Sequence, residues 1–390
     1  MTPVSGRSAT GAGRGGETGV LPVPPRARGV GRYLLSGTLG LAARHASPVL
    51  LPPAALGRVM RVAGCIPAAL TRAAYLECRL RDGPDPVDLI FRMEREGAEI
   101  LAGRNPAVDP SRLLDAGPAW RAVADFCSAW LDGSDPSWRL VRHLWLELDL
   151  DDASLPAAWP LPQPSVFVAL DDDATAAMGT DAVLDLVARV IAPLAPDVLD
   201  GDTRSRLRAV LERRPPGAAV PYAGVMLSRP RQAVRVYLSR VPGAAVPGLL
   251  NEVGWPEDQG RMAAEVVSTM RDAGAPEVGM LHLDVLEGAL LPRLGVEYTL
   301  DRGTQIRGRV AEQSFLDTLA ERRLCDPARR DALLAWPGYE LLTLPHELWP
   351  SLLARRVNCI KLVHEPDRAP QMKAYLLAFH QPHLPGRTTE

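Results

Sequence analysis

The sequence predicts an α+β fold in which ten antiparallel strands close into a β-barrel with helices outside it. Three observations predict it. The strands fall into five pairs, each joined by a short connection, and short connections belong to antiparallel neighbours. Helical segments separate one pair from the next, which argues against the alternation of a parallel sheet. Each strand also divides into an apolar side and a side that mixes charges with aromatic rings.

Residues 1–30, rich in Gly, Pro and Arg, predict a disordered tail. Residues 31–385 read as a single domain and 386–390 as a short second tail. A helical stretch over 56–73 precedes the strands AYLECRLR (74–81) and VDLIFRME (87–94), which a Gly-Pro-Asp-Pro turn joins. A helix over 118–131 opens with Pro118, where the missing N–H costs nothing. The strands HLWLELDL (143–150) and SVFVAL (165–170) follow, linked by a Pro-rich loop. The run Asp171-Asp172-Asp173 lies between a strand end and a helix start, so capping or solvation accounts for it. Two helices come next, with Thr180 and Asp202 as their expected caps.

The order then repeats. Strands 223–228 and 233–240 flank Arg-Pro-Arg, and helices near 245–254 and 256–273 follow, the second opening with Pro256. Strands 279–287 and 293–300 are separated by a Gly-containing turn. Helices 309–323 and 326–336, the latter with Asp326 as cap, precede a helical piece at 346–356 and the strands 358–364 and 372–380.

Alternation places residues such as Leu76, Cys78 and Leu80, or Val234, Val236 and Leu238, on a side that amphipathic helices must cover. The opposite side carries Tyr75, Glu77, Asp88, Trp145, Glu147, Asp149, Phe167, Arg235, Tyr237, His282, Asp284, Arg293, Glu297, Lys361, Lys373, Tyr375 and Phe379. Two architectures satisfy this pattern: an open sheet with one wet side, or a closed barrel with a polar, partly aromatic lumen. Ten strands is near the limit of a twisted open sheet, and Trp145, Phe167 and Phe379 among charges suit a lumen better than bulk water.

Composition narrows the function. The chain has 390 residues, 47% of them hydrophobic, and a formal net charge of −2. That balance gives no basic field for nucleic acid, and no apolar run is long enough for a membrane span. With no apolar leader, an intracellular, cytoplasmic protein is expected. The five cysteines are scattered without a C-x-x-C pair, so neither a disulfide framework nor a zinc ribbon is supported. No G-x-G-x-x-G, Walker A or G-x-S-x-G pattern is present. Of the 44 cationic residues only Lys361 and Lys373 are lysines, both on predicted strands near the end of the chain. Arginine and lysine differ in shape and hydration, so either chance or a need for a compact ammonium explains that placement.

Three segments resemble the ABBA-type aromatic prenyltransferases. VMLSRPRQAVRVYLSRVPGAAVPGLLNEVGWP (225–256) is similar to that family's central hairpin with its basic turn. PRLGVEYT (292–299) resembles a strand led by a diphosphate-binding Arg, and QMKAYLLAFH (371–380) resembles the closing strand with its Lys and Tyr. The resemblance implies a barrel of repeated α-β-β-α units, the PT barrel, that moves an allylic isoprenoid from its diphosphate to an aromatic acceptor in secondary metabolism. By the same resemblance Arg231, Arg235, Arg293, Lys361 and Lys373 would surround a prenyl diphosphate, and Tyr237 and Tyr375 would donate hydrogen bonds to it. Asp88 or Asp149 would hold a Mg²⁺ where a member needs one.

The residues permit that chemistry. Arg and Lys bind phosphate, and aromatic faces such as Trp145, Phe167, Tyr237, Tyr375 and Phe379 stabilise a carbocation. Glu147 or Glu297 would orient the acceptor or take its proton. Plainer readings stand beside each assignment. Arg235, Arg293, Glu147 and Glu297 would form cross-strand ion pairs, and Trp145 would belong to a core. His282 with Asp284 reads as a base and its neighbour, or as two solvated groups. A ligand- or peptide-binding barrel without chemistry is the alternative function, since fold alone does not fix function.

Overall fold

The computed structural model describes residues 34–81, 86–150, 161–255, 267–269, 278–300, 310–344, 350–366 and 368–382. Eleven strands form one sheet: β1 (Ala73–Arg79), β2 (Asp88–Met93), β3 (Val141–Leu148), β4 (Ser165–Leu170), β5 (Tyr222–Val225), β6 (Val234–Val241), β7 (Val278–Leu286), β8 (Ala289–Thr299), β9 (Gly338–Leu342), β10 (Ser351–His364) and β11 (Gln371–Pro382). Each strand from β1 to β7 pairs with the next, β8 pairs with β10, β10 with β11, and β11 returns to β1. Every pairing is antiparallel. Ten strands therefore close a barrel, and β9 lies outside the ring on the first part of β10.

The apolar sides of the strands face outward and join the helices in one core. Leu76, Leu89, Leu144, Val166, Val236 and Leu376 from the barrel share it with Trp120 and Phe126 of the helix Pro118–Asp132 and with Leu184 and Val187 of the helix Thr180–Ile191. Each large side chain so buried contributes about 1.5–3 kcal/mol, which favours the helical coat over an open, wetted sheet.

Pro118 stands at the first turn of its helix, Asp326 caps the helix Pro327–Ala335, and Asp171 accepts the Ala174 N–H as a cap, all as the sequence predicts. Other boundaries move. Asp200, not Asp202, caps the helix Gly201–Glu212, and Gly179 holds the position expected of Thr180. The helix expected at 346–356 is overturned where it is described: residues 351–356 open β10, because their backbone pairs with β9 on one side and β11 on the other. The strand β9 and the helices Leu35–Ala43 and Arg95–Leu101 are additions to the sequence reading. The predicted tails 1–30 and 386–390 and most of the helix predicted at 256–273 lie outside the described residues.

Candidate functional site

Strand register carries the mixed side chains into the barrel. Glu77 lies opposite Asp88 on one side and Tyr375 on the other; Trp145 faces Phe167; Arg235 faces Asp284; Tyr237 faces His282; Lys361 faces both Glu297 and Lys373. Ring contacts run from Tyr75 to Trp145 (centroids 4.8 Å apart), Trp145 to His143 (5.5 Å), His143 to Tyr222 (6.3 Å) and Tyr222 to Tyr237 (5.3 Å). Tyr237 also meets Phe167 at 5.6 Å. Gly224 makes room for this belt, since a Cβ there would collide with the Phe167 ring and stand 2.5 Å from the Val166 carbonyl.

Charged side chains share the lumen with these rings, the Arg235 guanidinium standing 5.7 Å from the Phe167 ring centroid. Arg235 donates to Asp284 through Nε (2.5 Å) and Nη2 (2.8 Å), with both side chains only 2% exposed. Arg293 donates from Nε to Glu365 at 2.7 Å and from Nη1 to Asp284 at 3.5 Å. Lys373 donates to Glu77. Lys361 has no carboxylate within ion-pair distance among the described residues; its Nζ donates to the Tyr375 hydroxyl at 3.4 Å. Buried carboxylates on this face, Glu77, Asp88, Asp284 and Glu297, outnumber the buried cations Arg235, Lys361 and Lys373.

Burial and these neighbours set the protonation states. Burial pushes the Asp284 and Glu77 carboxyls up most strongly, but Arg235 with Arg293 and Arg229 together outweigh it for Asp284, and Lys373 with Lys361 and Tyr375 for Glu77, and both come down to about 2. Burial and then the charge of Glu77 raise Asp88 to about 7. Burial also raises Glu147 and Glu297, Glu147 further through Glu77 and Asp149. Lys361 is lowered to about 8 by burial and then by Arg235. His282 is held well below its usual value by burial and then by Lys361, so it is neutral.

His282 is 1% exposed, and neither ring nitrogen has a hydrogen-bond partner among the described residues. Its Nε2 stands 3.7 Å from Glu297 Oε1, too far for a hydrogen bond. A Cβ on Gly295 would come within 3.0 Å of His282 Cγ and 3.1 Å of Lys361 Cε, so the bare glycine lets these two side chains approach each other.

The structure thus brings together Trp145, Glu147, Arg235, Tyr237, His282, Arg293, Glu297, Lys361, Lys373 and Tyr375 on the lumen side of the barrel. Arg231 does not join them: it pairs with Glu287 in the connection after β5, and both are exposed. Asp88 accepts the Leu150 N–H at 2.9 Å and Asp149 accepts the Ser228 hydroxyl at 2.9 Å. Among the described residues no three His, Cys, Asp or Glu side chains gather to hold a metal ion. Glu77, the partner of Lys373, is absent from the residues given a role by the sequence, although its place beside Tyr75 on the polar side was the available signal. His143 and Tyr222, which complete the aromatic belt, were missed too; Tyr222 falls one residue before the predicted strand.

A closed ring of ten antiparallel strands, coated by helices and lined with charges and aromatic rings, is the PT-barrel fold of the ABBA-type prenyltransferases, and this chain has it. Among solved structures, apo prenyltransferase PriB aligns with a TM-score of 0.50 at 18% identity, over 88% of this chain and 96% of that one. The 5-dimethylallyltryptophan synthase from Streptomyces coelicolor aligns with a TM-score of 0.48 at 16% identity, over 88% and 97%. AnaPT from Neosartorya fischeri gives 0.48 at 14%, over 83% and 85%. No protein-family model and no curated protein matches the sequence. No helix among the described residues is long and apolar enough to cross a membrane.

Proposed function

We propose that the barrel is an aromatic prenyltransferase that moves an allylic group from its diphosphate to an aromatic acceptor in the lumen. The observation that supports this reading is the lining of the lumen: Arg235, Arg293, Lys361 and Lys373 share it with the rings of Tyr75, Trp145, Phe167 and Tyr237, and the Arg235 guanidinium stands 5.7 Å from the Phe167 ring centroid. In this reading the cations hold the diphosphate as its C–O bond breaks and the electron pair leaves with oxygen. The rings shield the allylic cation from water and stabilise it through their faces. An acceptor ring carbon then forms the new C–C bond and loses its proton to a carboxylate. Glu147 suits that step: it is partly open to the lumen, has no ion pair or hydrogen bond among the described residues, and is raised towards neutrality by burial.

Incubation with dimethylallyl diphosphate and L-tryptophan tests the proposal, since a PriB complex holds tryptophan with the thiolo analogue of that diphosphate. Prenylated acceptor is expected, with Glu147→Gln lowering kcat about 10²–10⁴-fold. No product and no thermal shift with any allylic diphosphate, from a folded protein, would refute it. One observation favours a second reading, a binding barrel without chemistry. Arg235, Arg293 and Lys373 already hold Asp284, Glu365 and Glu77, so a diphosphate would have to displace internal carboxylates.

A further inference from the structure

We propose that Lys361 is an imine-forming lysine that captures an apolar aldehyde, aromatic or allylic, in the barrel lumen. The proposal goes beyond both readings above and needs no diphosphate. Its first support is the use of lysine itself. The chain places arginine at all but two of its 44 cationic positions, and both exceptions, Lys361 and Lys373, face each other across β10 and β11 inside the barrel. A guanidinium serves for charge, but only a primary amine condenses with a carbonyl. The two amines are not equivalent. Among the described residues Lys373 is held by Glu77, whereas Lys361 has only the Tyr375 hydroxyl, at 3.4 Å.

The second support is what surrounds Lys361. Gly295 leaves His282 and Lys361 side by side, Glu297 lies opposite Lys361 in the strand register, and both nitrogens of the buried His282 await a partner. Burial favours the neutral amine of Lys361, and it keeps His282 neutral and Glu297 readily protonated. Nearby Cys359 is no competitor as a nucleophile, because burial and then Glu297 hold its thiol protonated. The aromatic belt beyond defines the rest of the ligand as apolar.

The step balances with these groups alone. The Lys361 lone pair forms a C–N bond to the carbonyl carbon, and the oxygen takes a proton from Glu297. The positively charged nitrogen gives one proton to His282, which passes it to the hydroxyl as that leaves as water. The nitrogen lone pair closes the C=N bond, and its last proton returns to the Glu297 carboxylate. Amine and aldehyde become imine and water, with both proton carriers restored.

Cinnamaldehyde with cyanoborohydride provides the test, read by intact mass and tryptic mapping. The expected result is one reduced adduct in the folded protein, on the peptide Val357–Arg368, forming at least tenfold faster than modification of Lys373. Excess cinnamyl alcohol, which has no carbonyl, should slow it at least tenfold by occupying the same space. Lys361→Arg should abolish it. No adduct, an adduct confined to Lys373 or the chain's amino terminus, or equal labelling of both lysines would overturn the proposal. If the Arg variant fails to fold, site mapping and alcohol competition on the unaltered protein decide. A prenyltransfer assay has no bearing on the outcome, so the two proposals fail separately.

Discussion

Arg235 and Asp284 form a bidentate pair that water does not reach. Removing one partner leaves a buried charge uncompensated, so Asp284→Ala should lower stability by about 3–5 kcal/mol, measured by urea unfolding. Asp88 behaves in the opposite sense. Its carboxyl, raised from 3.8 to about 7 in the folded protein, binds a proton more tightly there than in the unfolded chain. Stability from this group is therefore present below pH 4 and lost as pH rises towards 7, with a slope of up to about 1.4 kcal/mol per pH unit. Asp88→Asn keeps an acceptor for the Leu150 N–H and should remove that loss, making the variant more stable than the wild type at pH 7. Equal pH dependence of wild type and variant in denaturant melts would contradict this. Of the cross-strand pairs expected from sequence, Arg235 found its partner in Asp284 on the neighbouring strand. Arg293 also meets Asp284 across β7 and β8, at 3.5 Å, but its shorter bond, 2.7 Å, reaches Glu365 beyond β10, which no local pattern announces.

Strands and helices report how far periodicity reaches. The two-residue alternation of β1 and β6 was legible because each apolar side chain meets helices and each polar one the lumen. The first part of β10 was not. Between Ser351 and Arg356 it lies sandwiched by β9 and β11, so its pattern has no clean wet face and imitates a helix. Register also explains where glycine is needed. A Val at Gly224 would drive its side chain into Phe167 and the β4 backbone, and Gly224→Val should cost about 1–3 kcal/mol and dismantle the belt. Near-UV circular dichroism, which reads the packed rings, should fall while the far-UV spectrum stays. Unchanged near-UV signal with unchanged stability would show that the belt has slack.

Closure belongs to the molecule as a whole, and it rests on β11, the stave between β10 and β1. A chain ending at residue 370 lacks that stave, exposes the edges of β1 and β10, and uncovers the lumen charges. We expect it to aggregate or remain unfolded, by size-exclusion chromatography and far-UV circular dichroism, and a folded monomer would contradict this. The barrel was legible because helices separate hairpin from hairpin and charges share a side with rings. The internal neutralisation of the lumen was not, since it arises from strands far apart in sequence, as with Lys373 and Glu77. The lumen therefore reads from sequence as a mixture of charges and rings, and the structure shows which of those charges hold one another.

Because the first stave waits for the last, β1 leaves the ribosome long before the segment that will seal it. At about 5–20 residues per second, the growing polypeptide spends tens of seconds as an unclosed gutter with bare backbone edges. Its helical coat can already assemble against the finished hairpins in that interval. The sooner β11 pairs with β1 and β10 once it emerges, the shorter the time those edges stay open to other chains.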